Sequence, residues 1–265
     1  MTSRFSRTRS NRQAGRGGGG YLRSGSEAKQ LMFENEPELE NTAARIAADM
    51  VAADVAQRKC YIDERLGKEY SNLMTPDAFD KQLIVIAVLG YPERAGVWSY
   101  TLLTQSRISE SSMEPYFREF GRHGFGLVAI DPNCFGPDIE GDSFIYQIER
   151  VVADVAPGAK MGFIGFSMGG KILVEFLEQR HEFLRRVAGL VLIDPMLPNR
   201  LSVRHIRPLL DDDTLLIASQ GEDHSPGEIA SALLEIPSIS FAGIHGQMPN
   251  KALGRIIEFF KQRVH

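Results

Sequence analysis

Lys160-Met161-Gly162-Phe163-Ile164-Gly165-Phe166-Ser167-Met168-Gly169-Gly170-Lys171-Ile172-Leu173-Val174-Glu175-Phe176-Leu177 is the stretch that decides the fold. Its first five residues form a short apolar run that reads as a buried strand, and Lys171 to Leu177 reads as a helix. Between them a small nucleophile stands among glycines. A Gly-x-Ser-x-Gly turn holds its serine in a strained backbone conformation, and the flanking glycines remove β-carbons that would clash with neighbouring backbone. The hydroxyl then sits at the end of a strand and at the positive end of a helix. Taken alone, the pentapeptide also reads as a glycine-rich turn that packs tightly and does no chemistry.

Outward from this turn the chain alternates short apolar runs with helical stretches. Leu83–Leu89, Leu127–Ile130, Met161–Gly165, Gly189–Ile193, Thr214–Ala218 and Ser238–Ala242 read as strands. Helices fit at about 112–122, 144–155, 170–183, 226–235 and 250–262. This order predicts an α/β fold with a mostly parallel sheet of about six strands and helices on both faces. No internal repeat is visible.

The 265 residues, 43% of them hydrophobic, suffice for one sizeable domain with an appendage. The formal charge of −4 is uneven: residues 1–26 hold six arginines and no acid, which leaves −10 for the remainder. An acidic body is not a general nucleic-acid binder, so no nucleic-acid partner is expected for the folded domain. Cys60 and Cys134 are the only cysteines, and their spacing suggests neither a metal site nor a disulfide framework. No run approaches the roughly eighteen apolar residues that span a bilayer, and the N-terminus lacks a secretory h-region. A soluble, cytoplasmic protein is expected, with organelle targeting through the Arg/Ser-rich N-terminus as the alternative.

Three segments are expected. Residues 1–30, rich in arginine, serine and glycine, have little apolar surface to bury and read as a disordered tail. Residues 31–76 read as a helical extension, because Leu39, Ala43, Ile46 and Met50, then Ile62, Leu66, Tyr70 and Leu73, recur at helical spacing. One long or broken amphipathic helix follows from that reading, ended by Thr75-Pro76-Asp77. Residues 77–265 form the main domain.

The serine turn, with later strands ending in acids and then in a histidine, resembles the α/β-hydrolase superfamily over roughly 81–265 and matches its chain order of serine, acid, histidine. The resemblance implies an α/β-hydrolase fold and a Ser-His-Asp triad. Serine needs an adjacent base, and the base needs a carboxylate to fix its tautomer. His245 follows a strand and precedes a helix, where the family carries its base. For the acid, Leu215 to His224 looks like the family's strand ending in glycine and an acidic turn, so Asp223 is the first choice. It lies two residues after Gly221, whereas the family acid usually lies three after. Asp194, in Ile193-Asp194-Pro195, and Glu222 are the alternatives.

Backbone N–H groups of Met168 and Tyr91 are the expected oxyanion donors, Tyr91 because Leu89-Gly90-Tyr91-Pro92 resembles the family's His-Gly-aromatic turn with leucine in place of histidine. Asp131, closing the second strand, reads as structural, and Cys134 as an incidental thiol. Trp98, Tyr100, Leu102 and Leu103 are candidates for an acyl groove or for core. The connection from Asp194 to Thr214 is too short for a separate cap domain, with the Asp77–Glu110 segment as possible cover.

These residues imply a serine hydrolase of a carboxylic ester or thioester, acting on a small-molecule acyl substrate without metal or cofactor. A catalytically silent scaffold that binds a partner or ligand, and an acyltransferase or peptidase using the same triad, are the alternatives.

Overall fold

The computed structural model describes residues 36–131, 142–220 and 225–264. Within them, α1 (Glu36–Ala52) is followed by β1 (Gln57–Asp63), β2 (Lys68–Met74) and β3 (Leu83–Val88). Two single turns, α2 (Tyr100–Leu103) and α3 (Ile108–Ser111), lead into α4 (Glu114–Arg122) and β4 (Gly126–Ile130). Then come α5 (Asp142–Asp154), β5 (Lys160–Phe166), α6 (Met168–Gln179), β6 (Val187–Ile193) and α7 (Arg207–Asp212). The chain ends with β7 (Thr214–Gln220), α8 (Pro226–Leu234), β8 (Ser238–Ala242) and α9 (Met248–Lys261).

The strands form one sheet in the order β1-β2-β4-β3-β5-β6-β7-β8. From β4 to β8 every pairing is parallel, whereas β1, β2 and β4 pair antiparallel. All six expected strands are present. β3, Leu-Ile-Val-Ile-Ala-Val, is buried along its whole length, as a central parallel strand covered on both faces must be. Its side chains alternate between two cores. Leu83, Val85 and Ala87 join residues of α1, α4 and α9 on one face, and Ile84, Ile86 and Val88 join residues of α5, α6 and α8 on the other.

The N-terminal extension differs from the helix expected through Leu73. α1 buries Leu39, Ala43, Ile46, Ala47 and Met50, but it stops at Ala52, where Asp54 turns to φ 54° and the N–H of Val55 bonds back to the Met50 carbonyl at 2.9 Å. Residues 57–74 are instead a β-hairpin that extends the sheet to eight strands. Gly67, at φ +62°, makes the turn, and the Asp63 carboxylate ties it by accepting from the backbone of Arg65 and Leu66 and from the Arg65 guanidinium. Tyr61 and Tyr70 face each other across the strands with rings stacked 5.4 Å apart. Ile62 and Leu66, assigned by periodicity to an apolar helix face, are 62% and 42% exposed.

β4 lies on one side of β3 and β5 on the other, so the direction of winding reverses there. A crevice opens beyond the carboxyl ends of strands at such a reversal, which is where open α/β sheets bind ligands. The loop after β3 and the serine turn after β5 both lie at that end of the sheet. Between β6 and β7 the chain holds only α7 and irregular backbone.

Candidate active site

Ser167 sits between β5 and α6 at φ 56°, ψ −121°, a conformation that costs a non-glycine residue about 1–3 kcal/mol. Its neighbours hold it there. Its N–H donates to the Ile193 carbonyl at 3.0 Å, and its carbonyl accepts from Gly170 and Met196 at 3.1 and 3.0 Å. The glycines are required by space: a Cβ on Gly165 would lie 2.6 Å from the Gly170 Cα, and one on Gly169 only 2.1 Å from the Val88 carbonyl oxygen. The turn and the end of β3 are therefore in direct backbone contact.

Asp194, one residue beyond β6, is also in the left-handed region, at φ 41°, and its side chain is fully buried. Its Oδ1 accepts from the N–H groups of Ser219 and Gly227 at 2.9 and 3.1 Å. Its Oδ2 lies 3.2 Å from His245 Nδ1. Burial alone would raise the pKa of this carboxyl; the His245 bond, the His245 charge and the Ser219 bond outweigh it and leave the pKa below the ordinary value. Asp194 is therefore a carboxylate fixed at both oxygens.

His245 begins a single 3-10 turn, His245–Gln247, between β8 and α9. Its ring stacks on Phe166, the residue before Ser167, with centroids 4.6 Å apart, and Trp98 packs edge-on against Phe166 at 6.1 Å. Asp194 thus holds one edge of the imidazole and Phe166 one face. Among the described residues the Ser167 hydroxyl has no hydrogen-bond partner. His205 pairs with Glu178 and His123 with Glu119, and His181 stacks on His205, so His245 alone of the described histidines meets Asp194.

The loop after β3 lies against the serine. A Cβ on Gly90 would stand 3.2 Å from Ser167 Cβ and 3.1 Å from Glu93 Oε2. Tyr91, which follows Gly90, and Met196, whose N–H donates to the Ser167 carbonyl, are large exposed apolar residues. Met168 is the first residue of α6, where backbone N–H groups have no intrahelical acceptor.

The loop is braced from behind. Arg94 Nε reaches both Asp131 oxygens, at 3.0 and 2.9 Å, and its Nη1 meets Glu40 of α1 at 3.0 Å. Asp131 is thereby held in an ion pair. Trp98, Tyr100 and Leu102 are fully buried and Leu103 nearly so, which makes them core. The same segment covers the His245 turn: Gln247 Nε2 donates to Glu110 at 2.7 Å, and a Cβ on Gly246 would lie 2.6 Å from Ser99 Oγ.

Of the residues read from the sequence as site candidates, Ser167, His245, Met168, Tyr91 and Asp194 come to this one end of the sheet. Asp223, the first choice of acid, and Glu222 lie outside the described residues, as does Cys134. Among the described residues, the carboxylate that meets the imidazole is that of Asp194. The sequence reading overlooked Phe166 and Glu93. Glu93 carried a signal, a carboxyl directly after the Gly90-Tyr91-Pro92 turn. Among the described residues no cluster of His, Cys, Asp or Glu could hold a metal ion, and no helix is long and apolar enough to cross a membrane.

Neither a family model nor a curated protein matches the sequence. Solved structures do match the fold. The thioesterase domain from the curacin biosynthetic pathway superposes with a TM-score of 0.54 at 12% identity, covering 78% of this chain and 99% of its own. A thermostable carboxyl esterase from Bacillus coagulans gives 0.53 at 12%, covering 79% and 99%. A protein from Agrobacterium tumefaciens, described as a candidate α/β hydrolase, gives 0.54 at 15%, covering 78% and 96%. The fold of this chain is that of the α/β hydrolases.

Proposed function

We propose that this α/β-hydrolase-fold chain is a serine hydrolase of carboxylic esters or thioesters, with Ser167 as nucleophile, His245 as base and Asp194, in place of Asp223, as the acid. The observation that carries the reading is the 3.2 Å contact of Asp194 with His245 Nδ1, made by an imidazole stacked on the residue next to a strained serine. A buried carboxylate at Nδ1 fixes the tautomer that leaves Nε2 free to take a proton, and it stabilises the imidazolium that forms.

Ser167 Oγ attacks the acyl carbon, its proton passes to His245 Nε2, and the carbonyl π pair moves to oxygen. Backbone N–H groups of Met168 and Tyr91 receive that oxyanion. Collapse re-forms the carbonyl and expels the alkoxide or thiolate, which takes the proton from His245. Water then adds to the acyl-enzyme, giving a proton to His245, and the Ser167 oxygen leaves with that proton as the carboxylic acid is released. The unbonded Ser167 hydroxyl fits a resting state, since nucleophile–base bonds often tighten only with substrate present. Tyr91 and Met196 offer apolar surface to the acyl group.

The test is hydrolysis of short p-nitrophenyl esters. Wild-type protein is expected to show saturable turnover that Ser167→Ala and His245→Gln each abolish; turnover surviving either change sinks the reading. A silent scaffold is the second reading, favoured by Leu89 in the oxyanion turn and by the unbonded hydroxyl, and it predicts no turnover dependent on His245.

A further inference from the structure

Ser167, Asp194 and His245 follow β5, β6 and β8, and the strand between the last two, β7, supplies the hold on the acid. The Asp194 N–H donates to the Ile217 carbonyl at 2.8 Å, and Oδ1 accepts from the Ser219 N–H at 2.9 Å and the Gly227 N–H at 3.1 Å. β6 and β7 are paired as far as Ile193 and Ile217. Ser219 stands two residues beyond, so its N–H is received by a side chain in place of a strand.

Gly227 is the second residue of α8, and the other donors of that helix's first turn are accounted for. Pro226 has no N–H, the Glu228 N–H donates to Ser225 Oγ at 3.2 Å, and the Ile229 N–H donates to the Ser225 carbonyl at 3.1 Å. The remaining N–H, that of Gly227, goes to Asp194, which makes the carboxylate a second cap beside Ser225. Only glycine fits there. A Cβ would stand 2.6 Å from Asp194 Oδ1 and 2.6 Å from the Ala218 Cα, so a side chain must push away either the carboxylate or the helix.

We infer that Gly227 is a positioning residue of the active site, whose N–H at the amino end of α8 clamps Asp194 Oδ1 and thereby aims Oδ2 at His245 Nδ1. The inference rests on the serine-hydrolase reading. With its backbone tied to Ile217 and Oδ1 tied to two N–H groups, the planar carboxylate is held with Oδ2 3.2 Å from the imidazole. Both donors are main-chain groups, so the clamp is preorganised and orders no side chain of its own. The partial positive charge at the start of α8 favours the ionised form of the buried acid. A glycine that served only to pack α8 on β7 would matter for stability and not for turnover.

The experiment compares wild type, Gly227→Ala and Ser225→Ala in p-nitrophenyl acetate hydrolysis and in urea unfolding. Gly227→Ala should lower kcat by about ten- to a hundredfold with KM little changed, the range for a lost hydrogen bond to a charged group that acts in the transition state. Ser225→Ala removes a cap from the same helix without touching Asp194, and it should lower the urea midpoint while keeping kcat within about twofold of wild type. A wild-type kcat in Gly227→Ala, or an equal fall of kcat in both variants, overturns the inference. Absence of Ser167-dependent turnover in the wild type would overturn the hydrolase reading instead, and amide hydrogen exchange then decides the clamp. The Gly227 amide should be protected in the wild type and exchange about tenfold or more faster in Asp194→Ala. An unprotected Gly227 amide, or one whose rate Asp194→Ala leaves unmoved, overturns the inference, and the same measurement decides it should Gly227→Ala not fold.

Discussion

Asp194 and Glu93 are both buried carboxyls, and their surroundings push them in opposite directions. Asp194 has a lowered pKa, so its contribution to stability is complete above the ordinary carboxylate range and is lost as pH falls through that lowered value. Glu93 has a raised pKa, so folding holds its proton more tightly than the unfolded chain does, and stability declines as pH rises through the window between the two values. Melting curves against pH should separate them: Asp194→Asn flattens the acid side, whereas Glu93→Gln gains on wild type as pH rises. Parallel curves for Glu93→Gln and wild type would contradict the assignment. At this scale the sequence was partly legible. Ser167 and His245 stand out by spacing, because glycines flank one and a strand precedes the other. The acid is harder to read, since Asp194 and Asp223 both follow strands, and the contact of Asp194 with His245 joins residues 51 apart in the chain.

At the scale of elements, the site depends on packing from the N-terminal helix. Gly96, at φ +117°, lets the loop press onto α1, and a Cβ there would lie 3.2 Å from the Ala47 Cβ. With the Glu40–Arg94–Asp131 ion pairs, this contact fixes the segment that carries Gly90 and Glu93. Ala47→Leu overpacks the joint, and a destabilisation of about 1–3 kcal/mol, with a fall in kcat, is expected from denaturant melts and ester assays. Unchanged stability would show that α1 is not seated there. In the hairpin, Gly67→Ala forces a side chain into the left-handed region and should cost about 1 kcal/mol, read as a lowered midpoint of urea unfolding. The hairpin also shows where sequence reading stops. Ile62, Leu66, Tyr70 and Leu73 fit a helical period, yet Tyr61 and Tyr70 pair across two strands, because the chain reverses at Gly67 and hydrophobic spacing alone does not register that turn.

Over the whole molecule, the central parallel sheet was legible because its strands are continuous apolar runs, buried on both faces. The antiparallel edge was not, since β1 and β2 are half exposed and mixed in character. The sheet positions the candidate site by topology: Ser167, Asp194 and His245 follow β5, β6 and β8, and strand pairing brings these three strand ends to one end of the sheet from a span of 79 residues. Because α1 shares one core with α4 and α9, unfolding followed by Trp98 fluorescence and by circular dichroism should give coincident transitions, and a separate early loss of helix would show α1 to be independent. The claim that these strand ends form a working triad is tested most directly by fluorophosphonate labelling with mass-spectrometric location of the adduct. The adduct should form on Ser167, about a thousandfold or more slowly in Asp194→Asn and at near wild-type rate in Asp223→Asn. No adduct at Ser167, or rapid labelling of Asp194→Asn with loss in Asp223→Asn, would contradict it.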